Sequence, residues 1–305
     1  MNNSIIVYHL VKPGTDCPDG ICAAWIVSKA LNSRQINYQL IGDVYLNEKE
    51  YLKDNYILPF DYIDNDIILV DFSYPYLILD GIRKQAKSLT ILDHHESRMI
   101  DIANLGKHIK GGYSPSDCGA TFAWNYFFPD TPQPWFLKYV RQRDIGVDGY
   151  YEGEIPHSEA INTAISTRRK GLIGVEAFTV FEQLLDTAEQ ELIDEGMPFI
   201  IERDKLVNEA LNQYNGATIQ VGKYNVPYYQ LVNKEAHQHY SVIGSKAAKK
   251  HKEDYEFIAI TTHDPLVISL RSVTDNVHLG YLAKSLGGGG HKRAAGYTIT
   301  KITKD

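Results

Sequence analysis

The sequence has little cysteine and no long apolar run. Its three cysteines, Cys17, Cys22 and Cys118, form no CxxC pair, which argues against a disulfide framework and against a thiolate zinc site. No apolar run approaches the roughly 18 residues that a membrane span requires. The segment from Met1 to Ser4 has no basic stretch before the first apolar run, so no secretory signal is visible. We therefore expect no membrane-spanning segment and a cytoplasmic location.

The chain also lacks a surplus of basic residues, since 31 Lys and Arg stand against 38 Asp and Glu, a net charge of −7. This balance argues against broad electrostatic capture of duplex DNA. The charge is uneven, because residues 216–305 hold 12 Lys and Arg against 7 Asp and Glu, whereas the rest holds 19 against 31. Such a division suits a protein that holds cations in one part and a phosphate-bearing ligand in the other, although ordinary solvated surfaces also show it.

The length of 305 residues and the hydrophobic fraction of 44% are sufficient for two cores. In the N-terminal part, short apolar runs alternate with amphipathic stretches, which predicts βαβ units and a parallel sheet. The predicted elements of this part are strands at 5–8, 67–70 and 89–92 and helices at 20–31, 75–87, 116–127 and 135–143.

A long, charged helical pattern follows at 175–215, with a predicted interruption at Gly196-Met197-Pro198. Beyond it, the pattern predicts strands at 217–221, 228–232, 257–261, 267–270 and 297–299 and helices at 241–250 and 277–286. We expect an α/β protein with an N-terminal parallel-sheet domain at 1–190, a helical connector at 191–215 and a smaller α/β domain at 216–305.

Side chains that bind metals follow each predicted strand of the N-terminal part. The carboxyl ends of parallel strands face one crevice, where ligands bind. Oxygen and nitrogen donors without thiolates suit Mn²⁺ or Mg²⁺, and histidine favours Mn²⁺. Because clustered carboxylates repel one another unless cations separate them, we infer a two-metal centre. The candidates are His9, Asp16 and Asp19 after the first strand, Asp71 after the second, Asp93, His94 and His95 after the third, and Asp144 after the helix at 135–143.

Each candidate also has an ordinary structural interpretation. An Asp at a strand end commonly caps a turn or a helix. Adjacent histidines point in opposite directions in an extended chain, so one of His94 and His95 can be structural. Asp148 competes with Asp144 for the same role. A shared site is favoured because three strands of one sheet end in this way.

Four glycines at 287–290 precede His291, Lys292 and Arg293. Glycine allows backbone N–H groups to converge on an anion, and the basic side chains add donors. A linker or a helix end would also use such glycines. Arg271, on the predicted strand upstream, can form a bidentate contact with a phosphate. The sequence therefore predicts a phosphate-binding segment in the C-terminal domain.

These stretches resemble the motifs of a known family. The segment Leu92-Asp93-His94-His95-Glu96-Ser97 resembles the signature of the DHH phosphoesterases. Asp16-Cys17-Pro18-Asp19-Gly20 resembles the first motif of that family and Val70-Asp71 the second, and Asp144 stands where the fourth is expected. The first motif departs from the family pattern, since His9 lies seven residues before Asp16 and two residues separate Asp16 from Asp19. Residues 287–296 resemble the GGGHxxAAG motif of the DHH-associated domain, and residues 269–272 resemble the arginine-bearing strand that accompanies it.

The resemblance implies a DHH catalytic domain with a five-stranded parallel sheet, followed by a DHH-associated domain that binds substrate. It implies two Mn²⁺ ions, with Mg²⁺ or Co²⁺ as substitutes. It also leaves open which of His94 and His95 binds metal and which positions a phosphate. The implied metal ligands are His9, Asp16, Asp19, Asp71, Asp93, His95 and Asp144; the implied catalytic residues are Asp93 and His94; and the implied substrate-binding residues are Arg271, Gly288, Gly289, Gly290 and His291.

The function we expect is hydrolysis of phosphodiester or terminal phosphate bonds in short single-stranded oligonucleotides or linear dinucleotides, cut from an end. Two metal ions would activate the water, in a cleft between the two domains. Short substrates are expected because the chain length leaves no space for a further nucleic-acid-binding domain. The alternatives are a cyclic-dinucleotide phosphodiesterase, a pyrophosphatase or exopolyphosphatase, and a catalytically silent nucleotide-binding module. A homodimer is compatible with these features, and base preference, cleavage direction and pathway stay open.

Overall fold

A computed structural model describes residues 4–46, 48–51, 53, 56–145, 155–261, 267–290 and 292–299. They form two compact units, of which the first ends at Gly196 and the second begins at Met197. Within these ranges, no helix combines the length and the apolar character that crossing a membrane demands. Asp148 and His291 lie outside the described residues.

The first unit is built on a parallel sheet. Its strands are β1 (Ser4–Lys12), β2 (Thr15–Asp16), β3 (Tyr38–Asp43), β4 (Asp66–Val70), β5 (Ser88–Asp93) and β6 (Lys110–Tyr113). Five of them are parallel in the order β3-β1-β4-β5-β6, and β2 turns back antiparallel on β1. The carboxyl ends of β1, β4 and β5 therefore lie side by side.

Helices cover both faces of this sheet. They are α1 (Pro18–Asn32), α2 (Glu48–Tyr51), α3 (Tyr76–Gln85), α4 (Met99–Ala103), α5 (Gly119–Phe127), α6 (Leu137–Ile145), α7 (Ser158–Arg168) and α8 (Phe178–Asp186). A ninth helix, α9 (Glu189–Asn212), begins in the first unit and continues past Gly196 into the second. Along β1, Ile6 packs in the core that contains α1 and α5, whereas Ile5 and Val7 pack in the core that contains α3. Burial on both faces explains why the central strands are apolar at nearly every position.

The second unit contains a mixed sheet. Its elements are β7 (Thr218–Val221), β8 (Tyr224–Gln230), α10 (Tyr240–His251), β9 (Ile258–Thr261), β10 (Val267–Arg271), α11 (Leu279–Ser285), β11 (Gly289–Gly290) and β12 (Ala294–Thr298). The strand order is β11-β12-β10-β9-β8-β7, and only the β8–β9 pair is parallel among these described strands. Helices α10 and α11 pack into separate cores of the unit.

The expected α/β architecture, with a parallel sheet first and a second sheet after it, is confirmed. Strands β3 and β6 were not predicted, because both lie at the edges of the sheet and have weak apolar patterns. The β6 sequence contains Gly111 and Gly112, which are poor strand formers. The domain boundaries at residues 190 and 215 stay a prediction.

Two predictions about the helices are wrong: the start of one helix and a break within another. The helix expected to start near Ser116-Asp117 begins at Gly119, with Cys118 as its N-cap. The Asp117 carboxylate instead accepts a hydrogen bond from the Ser114 hydroxyl. The break expected at 196–198 is also absent, since α9 continues through Pro198.

Candidate metal centre

Two groups of metal-capable side chains meet at the carboxyl ends of β1, β4 and β5. One group consists of His9, Asp71 and His95, and the other of Asp19, Asp71 and His94. Within each group the donor atoms lie within 4.8 Å of one another. Both groups contain Asp71, so a single carboxylate is available to two neighbouring ions.

Asp71 follows β4 directly and lies at the centre of this arrangement. Its backbone is left-handed, with φ of +54°, a conformation that Asp tolerates better than most residues. Its Oδ1 lies 3.0 Å from His94 Nε2, and its Oδ2 lies 3.5 Å from His9 Nδ1. Burial alone would raise the pKa of Asp71, but the facing His9 and His94 rings outweigh it and hold that pKa below its usual value. Asp71 is therefore ionised, although it is almost fully buried.

Two facing atoms in the first group lack hydrogen-bond partners. These atoms are His9 Nδ1 and Asp71 Oδ2, both buried, and neither is bonded within the described part of the chain. Buried polar atoms are nearly always paired, because an unpaired one loses its hydration without compensation. A divalent cation bound by both atoms would supply the missing interaction, and imidazole with carboxylate suits Mn²⁺. The residues present therefore fit a metal ion.

His94 faces three carboxylates in the second group. Its Nε2 lies 3.0 Å from Asp71 Oδ1, 3.1 Å from Asp144 Oδ2 and 3.8 Å from Asp19 Oδ2. Burial would lower the pKa of His94, but Asp71 and then Asp144 and Asp19 raise it to about 9. Burial and the nearby Asp71 raise the pKa of Asp144 to about 6. Without metal, a proton on His94 offsets the negative charge of these carboxylates. A bound metal ion would offset the same charge.

Asp19 is placed by the start of α5. Its Oδ2 accepts a hydrogen bond from the Gly119 backbone, and its Oδ1 accepts one from Ala120 N at 2.9 Å. The positive end of the helix dipole favours a carboxylate there. Burial, with Asp71 and Asp144 close by, nevertheless raises the pKa of Asp19. Asp19 thus both caps α5 and faces His94.

Two glycines allow the helices to approach this closely. A Cβ at Gly20, in the first turn of α1, would lie 2.7 Å from the His9 carbonyl oxygen and 3.1 Å from Asp71 Oδ2. A Cβ at Gly119 would overlap the Cβ of Asp71. Glycine is required at both positions because the neighbouring atoms belong to the backbone or to the base of a short side chain.

Asp93 and Asp16 lie outside the two groups. Asp93 Oδ1 accepts hydrogen bonds from His95 Nδ1 at 2.7 Å and from the His94 backbone at 2.8 Å. Asp16 accepts hydrogen bonds from the Tyr8 hydroxyl at 2.7 Å and from Gly174 N at 3.0 Å. Asp93 thus orients a group member, whereas the oxygens of Asp16 are occupied elsewhere. Metal binding by these two residues stays a prediction.

Tyr45 and Gly119 belong to the site although no sequence motif marks them. Tyr45 follows β3, which was itself not predicted, so no pattern marked the residue. Its hydroxyl contacts Asp93 Oδ2 at 3.2 Å, and its ring packs against His9 and His95. Gly119 lies two residues after the predicted cap residues Ser116 and Asp117, and a glycine near a predicted helix start is a weak signal of a close approach.

The predicted phosphate-binding residues lie in the second unit. Arg271 donates hydrogen bonds to Ser241 Oγ at 2.9 Å and to the Leu270 carbonyl at 2.8 Å. Its guanidinium also lies 5.4 Å from the centre of the Tyr240 ring. Gly289 and Gly290 form β11 and pair with β12, and Gly288 lies against the backbone of Gly296 and Tyr297. Phosphate binding by Arg271, Gly288, Gly289, Gly290 and His291 stays a prediction.

Comparison with known proteins identifies the C-terminal part. A family model described as the DHHA1 domain matches residues 228–305. The uncharacterized protein R106 of Acanthamoeba polyphaga mimivirus is 26% identical over 306 residues, which cover 98% of this chain and 68% of that protein.

Two solved structures share the fold of the whole chain. The pGpG-specific phosphodiesterase PggH from Vibrio cholerae has a TM-score of 0.51 at 16% identity, covering 99% of this chain and 94% of that one. CDC45 from Entamoeba histolytica has a TM-score of 0.52 at 10% identity, covering 99% and 93%. The DHHA1 match bears out the predicted C-terminal DHH-associated domain, and the two solved structures show the fold of the chain. The chain contains a C-terminal DHHA1 domain, and its N-terminal motifs resemble those of the DHH phosphoesterases.

Proposed function

We propose that the protein uses two divalent metal ions to hydrolyse phosphodiester or terminal phosphate bonds in short oligonucleotides or linear dinucleotides. The observation that carries this proposal is the pair of donor groups that share the buried carboxylate of Asp71. Two metal sites far apart would not need a common ligand. Two ions close together repel each other, and a shared negative ligand would offset that repulsion. When bound, the ions would activate a water and neutralise charge on the phosphoryl oxygens.

The chain's own residues divide the work of holding these ions. His9, Asp71 and His95 would hold one ion, and Asp19, Asp71 and His94 the other, with Asp144 beside His94. The histidines favour Mn²⁺ over Mg²⁺, although Mg²⁺ and Co²⁺ are reasonable substitutes.

Neighbouring groups prepare these ligands for the metal. Asp93 accepts from His95 Nδ1, which fixes the tautomer and leaves the lone pair of Nε2 available. The N–H groups at the start of α5 hold Asp19 in place in the same manner. Asp16 is held by Tyr8 and Gly174 and lies outside the two donor groups, although each of its oxygens keeps a lone pair. The ligands are therefore largely in place before any metal binds.

The proposed substrate rests on the second unit. We assign substrate binding to Arg271, Gly288, Gly289, Gly290 and His291, within the segment that the DHHA1 model matches. A guanidinium and glycine N–H groups bind phosphate oxygens and do not read a long duplex. PggH, which shares the fold, is described as specific for pGpG, so linear dinucleotides head the candidates. We further expect a cytoplasmic enzyme, compatible with a homodimer.

Turnover by the purified protein tests this proposal. The substrates are pApA, pGpG, longer RNA and DNA oligomers, cyclic dinucleotides, 3′-phosphoadenosine 5′-phosphate and pyrophosphate, each with Mn²⁺. Asp71→Asn serves as the inactive variant, since Asn also tolerates a left-handed backbone. Asp66→Asn is the matched control, because it removes a carboxylate from the opposite end of β4.

We expect linear dinucleotides to be cleaved by the wild type and by Asp66→Asn, but not by Asp71→Asn. Turnover of pyrophosphate or of cyclic dinucleotides in their place would replace the substrate assignment. Binding of a nucleotide without turnover of any substrate would support a silent module and contradict the proposal.

A further inference from the structure

We propose that Tyr45 is a positioning residue that holds the His9–Asp71–His95 group ready for its metal ion. This inference rests on the proposed function, because it assumes that the group binds metal. It adds a residue that neither the signature motifs nor the predicted strand ends include. The contacts of the Tyr45 hydroxyl and of the Tyr45 ring support it separately.

The hydroxyl of Tyr45 joins two of the segments that carry the ligands. It donates to Asp93 Oδ2 at 3.2 Å and accepts from the Ser73 backbone N–H at 3.2 Å. Ser73 lies two residues after Asp71, and Asp93 in turn bonds His95 Nδ1. One hydroxyl thus connects the chain after β4 with the chain after β5. Removing it would free both segments to move apart.

The ring of Tyr45 restricts the two histidines of the first group. Its centroid lies 5.1 Å from that of His9 and 5.0 Å from that of His95, in edge-on contacts at 62°. Phe72 packs against the same ring at 4.7 Å, and the Arg98 guanidinium lies 5.6 Å from its centre. Each histidine therefore meets a fixed wall, which limits the rotamers that its ring can adopt.

The second group shares Asp71, and the His94 backbone N–H also donates to Asp93, but its other contacts come from other elements. The start of α5 bonds Asp19, and His94 Nε2 lies 3.1 Å from Asp144 on α6. A defect at Tyr45 should therefore act on one ion and spare the other. A residue that merely fills the core would lower stability without this selectivity.

Tyr74 provides a matched control. It is fully buried whereas Tyr45 is half-buried, and its hydroxyl likewise donates to a carboxylate, Oδ2 of Asp43. Its ring packs on Phe72 at 4.8 Å and on Tyr51 at 6.1 Å. Tyr45→Phe and Tyr74→Phe each remove one hydrogen-bonded hydroxyl beside the same core and keep the ring. Only the first removes a contact to Asp93.

The test is a calorimetric titration of chelator-treated wild type, Tyr45→Phe and Tyr74→Phe with Mn²⁺. Each melting temperature is also measured in chelator. In Tyr45→Phe we expect one of two ions to bind about 10- to 100-fold more weakly, the range for groups that orient metal ligands. The other ion should bind within about twofold of wild type. Tyr74→Phe should bind both ions normally, with a melting temperature lowered about as much as in Tyr45→Phe.

Normal binding of both ions by Tyr45→Phe would overturn the inference while the proposed function stands. Equal weakening of both ions, or the same defect in Tyr74→Phe, would also overturn it, because the role would then be general packing. A wild type that binds no Mn²⁺ would overturn the proposed function and this inference together. Steady-state kinetics give a second readout, in which Tyr45→Phe should lower kcat more than it changes KM for the dinucleotide.

Discussion

The polar atoms around Asp71 and those of Arg271 differ in how many of them already have hydrogen-bond partners within the protein. In the first unit, His9 Nδ1 and Asp71 Oδ2 are buried and unpaired within the described ranges, and His94 faces three carboxylates. In the second unit, Arg271 is half-buried and already donates to Ser241 and to a carbonyl. Buried polar atoms without hydrogen-bond partners point to a ligand, because the 3.5 Å contact between His9 and Asp71 compensates their lost hydration only weakly. Arg271 uses two of its five N–H donors in these bonds, so its contacts point less directly to a ligand.

Of the substitutions that test this contrast, we expect His9→Ala to have the largest effect on metal content and turnover. The first group loses a ligand, so one of two Mn²⁺ ions should be lost and turnover should fall by more than about a hundredfold, beyond the range for groups that only orient ligands. Metal content and kcat are the measurements. His108→Ala, at an exposed histidine, is the control. A His9→Ala protein that keeps both ions would remove His9 from the site.

Gly119→Ala should have the next largest effect. The added methyl group would overlap Asp71, forcing α5 and the carboxylate apart. We expect a loss of about 1 to 3 kcal/mol in stability, as for overpacking, and about a hundredfold loss in turnover. Gly81→Ala, where the methyl group meets nothing within 4 Å, is the control in the same unit. Normal activity in a folded Gly119→Ala protein would show that the close approach is not required.

Arg271→Ala should affect substrates selectively. We expect a loss of about 10- to 100-fold in kcat/KM for a dinucleotide, corresponding to a charge-assisted bidentate contact. A minimal activated phosphodiester, which offers no second phosphate, should be hydrolysed almost as by wild type. Arg271→Lys keeps the charge without the fork and should lose part of the dinucleotide activity. Equal losses on both substrates would mean that Arg271 supports the fold or the reaction centre itself.

The smallest effect concerns the pH dependence of metal-free stability. His94 has a pKa of about 9 in the folded protein, against an ordinary value of 6.5. Its proton therefore stabilises the fold fully below pH 6.5, and this contribution is lost as pH rises towards and through 9. The metal-free melting temperature should fall by a few degrees over this range.

Chelator-treated protein melted at pH 6.5 and at pH 9 checks this expectation, and His94→Asn should show a flatter dependence. Saturating Mn²⁺ should also flatten it, because the ion takes over the compensation of the carboxylates. A metal-free stability that rises over this range would show that His94 does not carry the proton.

The sequence predicts well which candidate metal ligands lie together wherever the strand order of the sheet alone determines it. Residues after β1, β4 and β5 must meet because parallel strands end at one edge, so His9, Asp71 and His94 could be grouped without a structure. The apolar strands themselves were found because both faces of the sheet are buried. Edge strands such as β3 are less buried and have fewer apolar residues, so the apolar pattern does not reveal them.

Contacts between distant parts of the chain explain the remaining differences. Asp19 caps α5 across about a hundred residues, so the local capping residues expected at 116–117 were not needed. Tyr45 reaches Asp93 from a strand that was not predicted. Asp16 bonds Tyr8 and Gly174, partners that no motif spacing indicates. Such pairings depend on the packed fold and cannot be inferred from the local pattern.

The central claim is that Asp71 serves two metal ions at once. The most direct measurement is the Mn²⁺ content per chain of purified wild type and Asp71→Asn after equilibration with Mn²⁺. We expect two ions in the wild type, with affinity for both reduced in Asp71→Asn because the shared ligand is lost. A wild type with one ion or none, or an Asp71→Asn protein that still binds two ions with normal affinity, would contradict it.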